Sequence, residues 1–395
     1  MSTSNAAGFA HPRVARLDAL TSLRFFAALY VVAFHYRTLF VVGDASAPGF
    51  FQFGYSGVTF FFLLSGFILA YNYKSVDFAD GHALGDYLLA RIARIYPVFL
   101  VSLLVSLPFF IKAVLQSTPH HNFLAAAAII LTPLGLHAWV PGAACALNCP
   151  SWSISTEFFF YAMFPLIFAR VLRRPLTWCA ATGLLLLTTW LLFALIWSAY
   201  GHGYALTGAA AHQDDRTNPL SQFIMYFPIG RLPEFIFGIL LFAYWSGGAR
   251  LPRPATLVMA SVLSAAIILE FQSAIPDVIL HNGLTAIVWA PLILAGASMR
   301  AGPLSAPTLV FLGRISFALY LLHIPTALTV LAVNKYWLGG ALSSVPLLAA
   351  LGTSLLAIAA AAAAYGMIEE PGRRFIVRLW RNRHARRAIS LTTSG

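Results

Sequence analysis

Ten apolar runs, each close to the length that crosses a bilayer, follow one another near residues 20–41, 53–73, 95–115, 154–172, 176–199, 230–246, 255–272, 279–297, 308–333 and 344–368. A helix needs about 17–25 mostly apolar residues to span the hydrocarbon, so the pattern predicts an all-α fold with about ten transmembrane helices. The run 122–136 is also apolar, but it is short and contains Pro133, which predicts a re-entrant or interfacial helix. Polar residues interrupt the runs sparsely and with helical spacing. Arg24 and His35 share the first run, in LTSLRFFAALYVVAFHY, eleven residues apart. Eleven steps of about 100° return to within roughly 20° of the starting face, about 16 Å further along the axis. Ser153, Glu157 and Tyr161 recur every four residues in the fourth run, and Ser316, Tyr320 and His323 share a face in the ninth. Arg231 and Glu234 lie three apart in the sixth, at the spacing of an intramembrane ion pair that shapes a cavity.

Composition agrees with the pattern. Of 395 residues, 59% are hydrophobic and 10% charged, and mean hydropathy is +0.78, whereas soluble domains carry about 25% charged residues. The chain therefore reads as one polytopic membrane domain, 16–376, between a disordered cytoplasmic N-terminus, 1–15, and a basic cytoplasmic tail, 377–395. No cleavable signal peptide is expected, because the first twenty residues lack an apolar core.

Charge sets the expected orientation, since Lys and Arg of short loops stay on the cytoplasmic side. With Arg13 and Arg16 inside, so are Lys74, Arg91 and Arg94; Arg170, Arg173 and Arg174; Arg250 and Arg253; Arg300; and seven tail arginines from Arg373 to Arg387. The opposite loops hold chiefly Lys112, Arg216 and Lys335. Both termini are then cytoplasmic in a multi-pass protein of a cell membrane, with a bacterial inner membrane the expected location. The net charge of +12 follows from this anchoring and from contact with anionic lipid headgroups, so nucleic acid is not an expected partner. Cys145 and Cys149 fall in the outer loop 137–152, where a disulfide can form, while Cys179 reads as helix packing.

Each polar group admits a plain and a functional reading. His35 can be a buried histidine satisfied by a neighbour, or a base with a pKa near working pH. Arg24 can snorkel from a helix end, and Arg91 and Arg94, in RIARIYP, can serve only as inside anchors. Two arginines on one helical turn also make a fork-shaped phosphate site. Glu157 is costly in a span unless it pairs or orients a base, and His35 is its expected partner. There is no H-E-x-x-H, no cysteine–histidine grouping at metal spacing, no G-x-S-x-G and no P-loop, so no metal is expected. Phosphate held inside and a base further out suit transfer from a cytoplasmic phosphate-bearing donor to an acceptor deeper in, or across, the membrane.

On these residues the chain resembles the acyltransferase-3 family of membrane O-acyltransferases, over roughly residues 15–376. The motifs occur in order: Arg24-x10-His35, GYSGVTFFFLLSGFIL at 54–69, Arg91-x-x-Arg94 before Tyr96-Pro97, WSISTEFFFYAMFP with Glu157, LGRISFALYLLHIP, and MIEEPGRRF. It departs at Thr59, where many members carry an acidic or other polar residue. The resemblance implies His35 as catalytic base, Arg24 as a helix-one cation facing the donor, Arg91 and Arg94 at the coenzyme A phosphates, and Glu157 as a functional acid. Ser153, Tyr320, His323, Arg231 and Glu234 remain further candidates. It implies acetyl-CoA or another short acyl-CoA as donor, and a hydroxyl of a carbohydrate or glycoconjugate as acceptor, with His35 acting as general base or as a covalent acyl relay. The loop 200–229, with Asp214 and Asp215, is expected to help choose that acceptor. A polytopic transporter or lipid-linked carrier is the competing class, although no internal repeat of matching halves is visible.

Overall fold

In hydrocarbon a backbone must satisfy its own hydrogen bonds, which leaves the apolar runs little choice but helix. A computed structural model of the chain describes residues 17–40, 49–116, 120–200, 218–248 and 250–393. The N-terminal segment 1–15 and the centre of the loop 200–229, including Asp214 and Asp215, lie outside the described residues. Among those described there is no strand, and ten helical segments are long and apolar enough to cross a membrane. They are α1 (Asp18–Phe40), α2 (Gly49–Tyr73), α3 (Gly81–Leu115), α4 (Cys149–Arg173), α5 (Pro175–Tyr200), α6 (Pro219–Ser246), α7 (Pro254–Phe271), α8 (Asp277–Ser298), α9 (Pro307–Tyr336) and α10 (Pro346–Asn382). The run 122–136 forms a helix only over His120–Leu131, too short to cross a bilayer.

Local chemistry starts the helices where the sequence suggests. Asp80 caps α3 by accepting from the His82 amide at 2.9 Å, and Asn218 caps α6 through the Leu220 amide at 2.9 Å. Proline opens α5, α6, α7, α9 and α10, where its missing N–H has no helical partner to lose.

Small residues then bring the helices together. α1 packs on α9, α2 on α6, α7 on α8, and α9 on α10. Gly66 of α2 lies against the Phe235 carbonyl of α6, and Gly238 of α6 against the Leu63 carbonyl of α2, so a methyl at either would strike backbone. Gly313 of α9 meets the Thr21 carbonyl of α1 in the same way. Such contacts replace the hydrophobic driving force that lipid removes. α5 and α7 expose most of their surface, as helices facing lipid do. Cys179 is exposed on α5, which corrects the expectation that it packs between helices.

α8 is broken near its start. A π-helical segment spans Leu280–Leu284, with Asn282 outside helical dihedrals and Gly283 at φ 100°. The freed groups are satisfied locally: Asn282 Nδ2 donates to the carbonyls of Ile224 (3.1 Å) and Val278 (2.9 Å), and Trp190 Nε1 donates to the Asn282 carbonyl at 2.7 Å. α10 carries a second π segment, Tyr365–Glu369, and the helix runs on to Thr393. Its extension docks on the start of α3, where Trp380 Nε1 donates to Asp86 at 2.7 Å.

Candidate active site

Two cavities lie end to end within the bundle. The first, of about 100 Å³, is lined by Arg24, Arg91, Arg94, Glu157, Tyr161, Ser65 and Ser153 among apolar groups. The second, of about 70 Å³, is lined by His35, Tyr55, Arg231, His281, Trp152 and Tyr226. Arg24 and His35 do share a stripe of α1, and their separation along it puts one in each cavity.

In the arginine cavity, α3 supplies Arg91 and Arg94 one turn apart, just before Pro97. The Arg91 guanidinium lies over the rings of Tyr73 (5.6 Å) and Tyr161 (6.0 Å) and donates to the Tyr73 hydroxyl at 3.3 Å. Its Nε is buried and has no hydrogen-bond acceptor among the described residues. Tyr161 and Ser65 donate to Glu157 Oε1, the latter at 3.3 Å. Three guanidinium groups thus line a space with one carboxylate, an arrangement that draws polyanions. An orphaned buried guanidinium N–H is also where a phosphate oxygen fits.

The histidine cavity has a different chemistry. His35 Nδ1 lies 3.0 Å from the Val31 carbonyl and 3.1 Å from His323 Nε2. A carbonyl can only accept, so His35 Nδ1 carries the proton. His323 Nδ1 in turn donates to the Tyr320 carbonyl at 2.6 Å, and the Tyr36 hydroxyl donates to the His323 carbonyl at 2.8 Å. The chain of bonds fixes both tautomers and puts the lone pair of His35 on Nε2.

Glu157, which the sequence offered as a partner of His35, lines the arginine cavity, bonded to Tyr161 and Ser65. His323, on α9, is bonded to His35 Nδ1. Ser153 Oγ and the Tyr320 hydroxyl both donate to the Pro150 carbonyl, at 2.9 and 3.0 Å. Ser316 bonds within its own helix, to Gly313.

Arg231 and Glu234 form the expected buried pair at 3.1 Å. Thr59 stands at its centre: it donates to Glu234 at 2.9 Å and accepts from Arg231 (3.3 Å) and Thr285 (2.9 Å). The Gly283 amide of the α8 break also donates to Glu234. Arg231 lies over the rings of Phe62 (5.4 Å) and Trp152 (5.7 Å). The hydroxyl at the position where the chain departs from its family motif is therefore bonded to a carboxylate brought by another helix.

Two groups were not singled out from the sequence. His281 stacks on Tyr55 with ring centroids 4.0 Å apart and lines the histidine cavity; its only signal was the following Asn282-Gly283, a helix-breaking pair. Glu369 of MIEEPGRRF is buried and within electrostatic reach of Arg24 and Arg94. The disulfide that the sequence allows between Cys145 and Cys149 is present, and Cys149 lines the histidine cavity. No three His, Cys, Asp or Glu side chains gather as a metal site among the described residues.

Comparison with known proteins turns this geometry into a family. The acyltransferase-3 family model, described as an acyltransferase domain, matches residues 17–366. Acyltransferase MdmB of Streptomyces mycarofaciens is 30% identical over 333 residues, 79% of this chain and 79% of that protein. Protein 2 in the picA locus of Rhizobium radiobacter is 34% identical over 96 residues, 24% of this chain and 47% of that protein. No solved structure matches. The matched region holds every described side chain of both cavities, and the chain belongs to the acyltransferase-3 family: it is an acyltransferase with ten apolar helices among its described residues.

Proposed function

We propose that the protein is a membrane O-acyltransferase that takes an acyl group, acetyl or similarly short, from acyl-CoA and places it on a hydroxyl of a carbohydrate or glycoconjugate. The observation that carries this reading is the pair of cavities, polycationic on one side and holding a polarised histidine on the other. In the positive-inside orientation the arginine cavity faces the cytoplasm, where the donor is found.

Arg91 and Arg94, with Arg24 beside them, hold the donor phosphates. Acyl-CoA supplies an activated thioester. Glu157, bonded to Tyr161 and Ser65, offsets the mutual repulsion of the guanidinium groups that share its cavity. His35 Nε2 takes the acceptor's hydroxyl proton while Nδ1 stays bonded to Val31 and His323. The hydroxyl oxygen then bonds to the acyl carbon, the carbon–sulfur bond breaks, and the proton passes from His35 to the leaving thiolate. As an acyl relay, the same Nε2 would attack first and pass the group on.

The deciding experiment is the unfolding midpoint of detergent-purified protein with and without acetyl-CoA, beside the R91A/R94A double variant. A ligand at 100 times its Kd stabilises by about 2.7 kcal/mol. A shift in the wild type that vanishes in the variant supports the donor site; absence of any shift, longer acyl thioesters included, overturns it in favour of transport. H35A should fold, keep the shift and lose transfer by about 100-fold or more.

A further inference from the structure

Among the described residues, just two line both cavities: Val58 of α2 and Tyr320 of α9. These two side chains therefore form the wall that the arginine cavity and the histidine cavity share. Both are held rigidly. The Tyr320 hydroxyl donates to the Pro150 carbonyl at 3.0 Å, and its own carbonyl accepts from His323 at 2.6 Å, so the ring is fixed at both ends. Val58 is buried and β-branched, a side chain with little freedom about its first torsion. Its neighbour Gly57 sits against the Ala27 carbonyl of α1, so the backbone there cannot retreat.

We propose that Val58 and Tyr320 form an acyl-size filter, the passage through which the acyl end of the donor reaches His35 while its phosphates stay on Arg91 and Arg94. The width of that passage is set by the Val58 side chain, because Tyr320 is fixed. This rests on the arginine cavity being the donor site. It adds that acyl chain length is read at the wall between the cavities, not in the arginine cavity and not by the acceptor. A fixed apolar wall discriminates by size: one methylene too many costs roughly 10–200-fold in specificity.

The test uses the full-length wild type, V58A and V58F in detergent, each with free coenzyme A and with acetyl-, butyryl- and octanoyl-CoA. Unfolding midpoints report binding, and product analysis reports transfer. Free coenzyme A should shift all three proteins equally, since the arginines are untouched. The added shift from the acyl group should extend to longer chains in V58A and disappear in V58F. The butyryl-to-acetyl ratio of kcat/KM should rise about tenfold or more in V58A and fall by as much in V58F. If V58F does not yield folded protein, V58I carries the narrowing arm. Identical chain-length profiles in every variant, with the coenzyme A shift intact, would overturn the filter and leave the donor site standing. No coenzyme A shift in the wild type would overturn the donor site and the filter with it.

Discussion

In the proposed reaction, His35 would draw its chemistry from the neighbours that hold its ring. With Nδ1 as the donor to Val31 and His323, Nε2 is the basic nitrogen of the neutral ring. In the proposed reaction His323 would be a positioning residue, and its substitution should act through the acceptor atom it offers. H323F, which removes that acceptor, should lower kcat on the order of 100-fold with KM little changed. H323Q, which can still accept, should recover most of the loss; equal loss in both variants would reduce His323 to packing. A third histidine makes a separate statement about stability. His137, in the loop before α4, is buried with Nε2 3.0 Å from Ser151 Oγ, and burial pushes its pKa down to about 4. Between pH 6.5 and 4 the unfolded chain binds a proton there that the folded chain refuses, so folded stability falls as pH drops through that window and is unaffected above it. The unfolding midpoint of the wild type should fall from pH 6.5 to 4, and H137Q should flatten that slope. A parallel decline in H137Q would place the pH dependence elsewhere.

Helix contacts explain why some of this was readable in advance and some was not. Ten apolar runs announced ten helices, and Arg24, Arg91 and Arg94 announced a cationic pocket, because length and spacing along one helix are properties of the sequence itself. Which helix faces which is not. The histidine bonded to His35 lies 288 residues away on α9, a contact that no spacing along one helix can announce. The glycines in the SGF and LGRIS motifs were visible, but only the packing shows that they let α2 lie on α6 and α1 on α9. G238V should therefore prise α2 from α6, reducing the yield of monodisperse protein and lowering the unfolding midpoint, with about 1–3 kcal/mol or more lost to overpacking. G352V, at a glycine with open space around it, should leave both unchanged. The α8 break is held by a side chain rather than by a helical ladder, so N282A strips one donor from two buried carbonyls at a cost of about 1–3 kcal/mol. His281 rides on that break, and chymotrypsin sensitivity near Trp289 should rise in N282A; unchanged protection would mean that the π segment holds itself.

The arrangement as a whole has a direction, and its chemistry works in only one of the two possible senses. In the proposed reaction the coenzyme A thioester comes from the cytoplasm, and the positive-inside expectation puts the arginine-rich loops on that same side and the Cys145–Cys149 disulfide in the oxidising space outside. Inverted, the arginines would face a compartment without donor and the disulfide would face a reducing one. The three cysteines report on this without any engineering. Cys179 is exposed on α5 within a span, and a thiol in hydrocarbon forms little thiolate and reacts slowly. In intact cells carrying the protein, a membrane-impermeant maleimide should label no site before reduction and two after treatment with an impermeant phosphine, and C145S/C149S should abolish that labelling. Labelling of two sites without reductant, appearing only once the cells are opened, would put the pair inside. It would also place the arginine cavity on the side where no acyl-CoA reaches it, and the acyl transfer proposed here would have no donor.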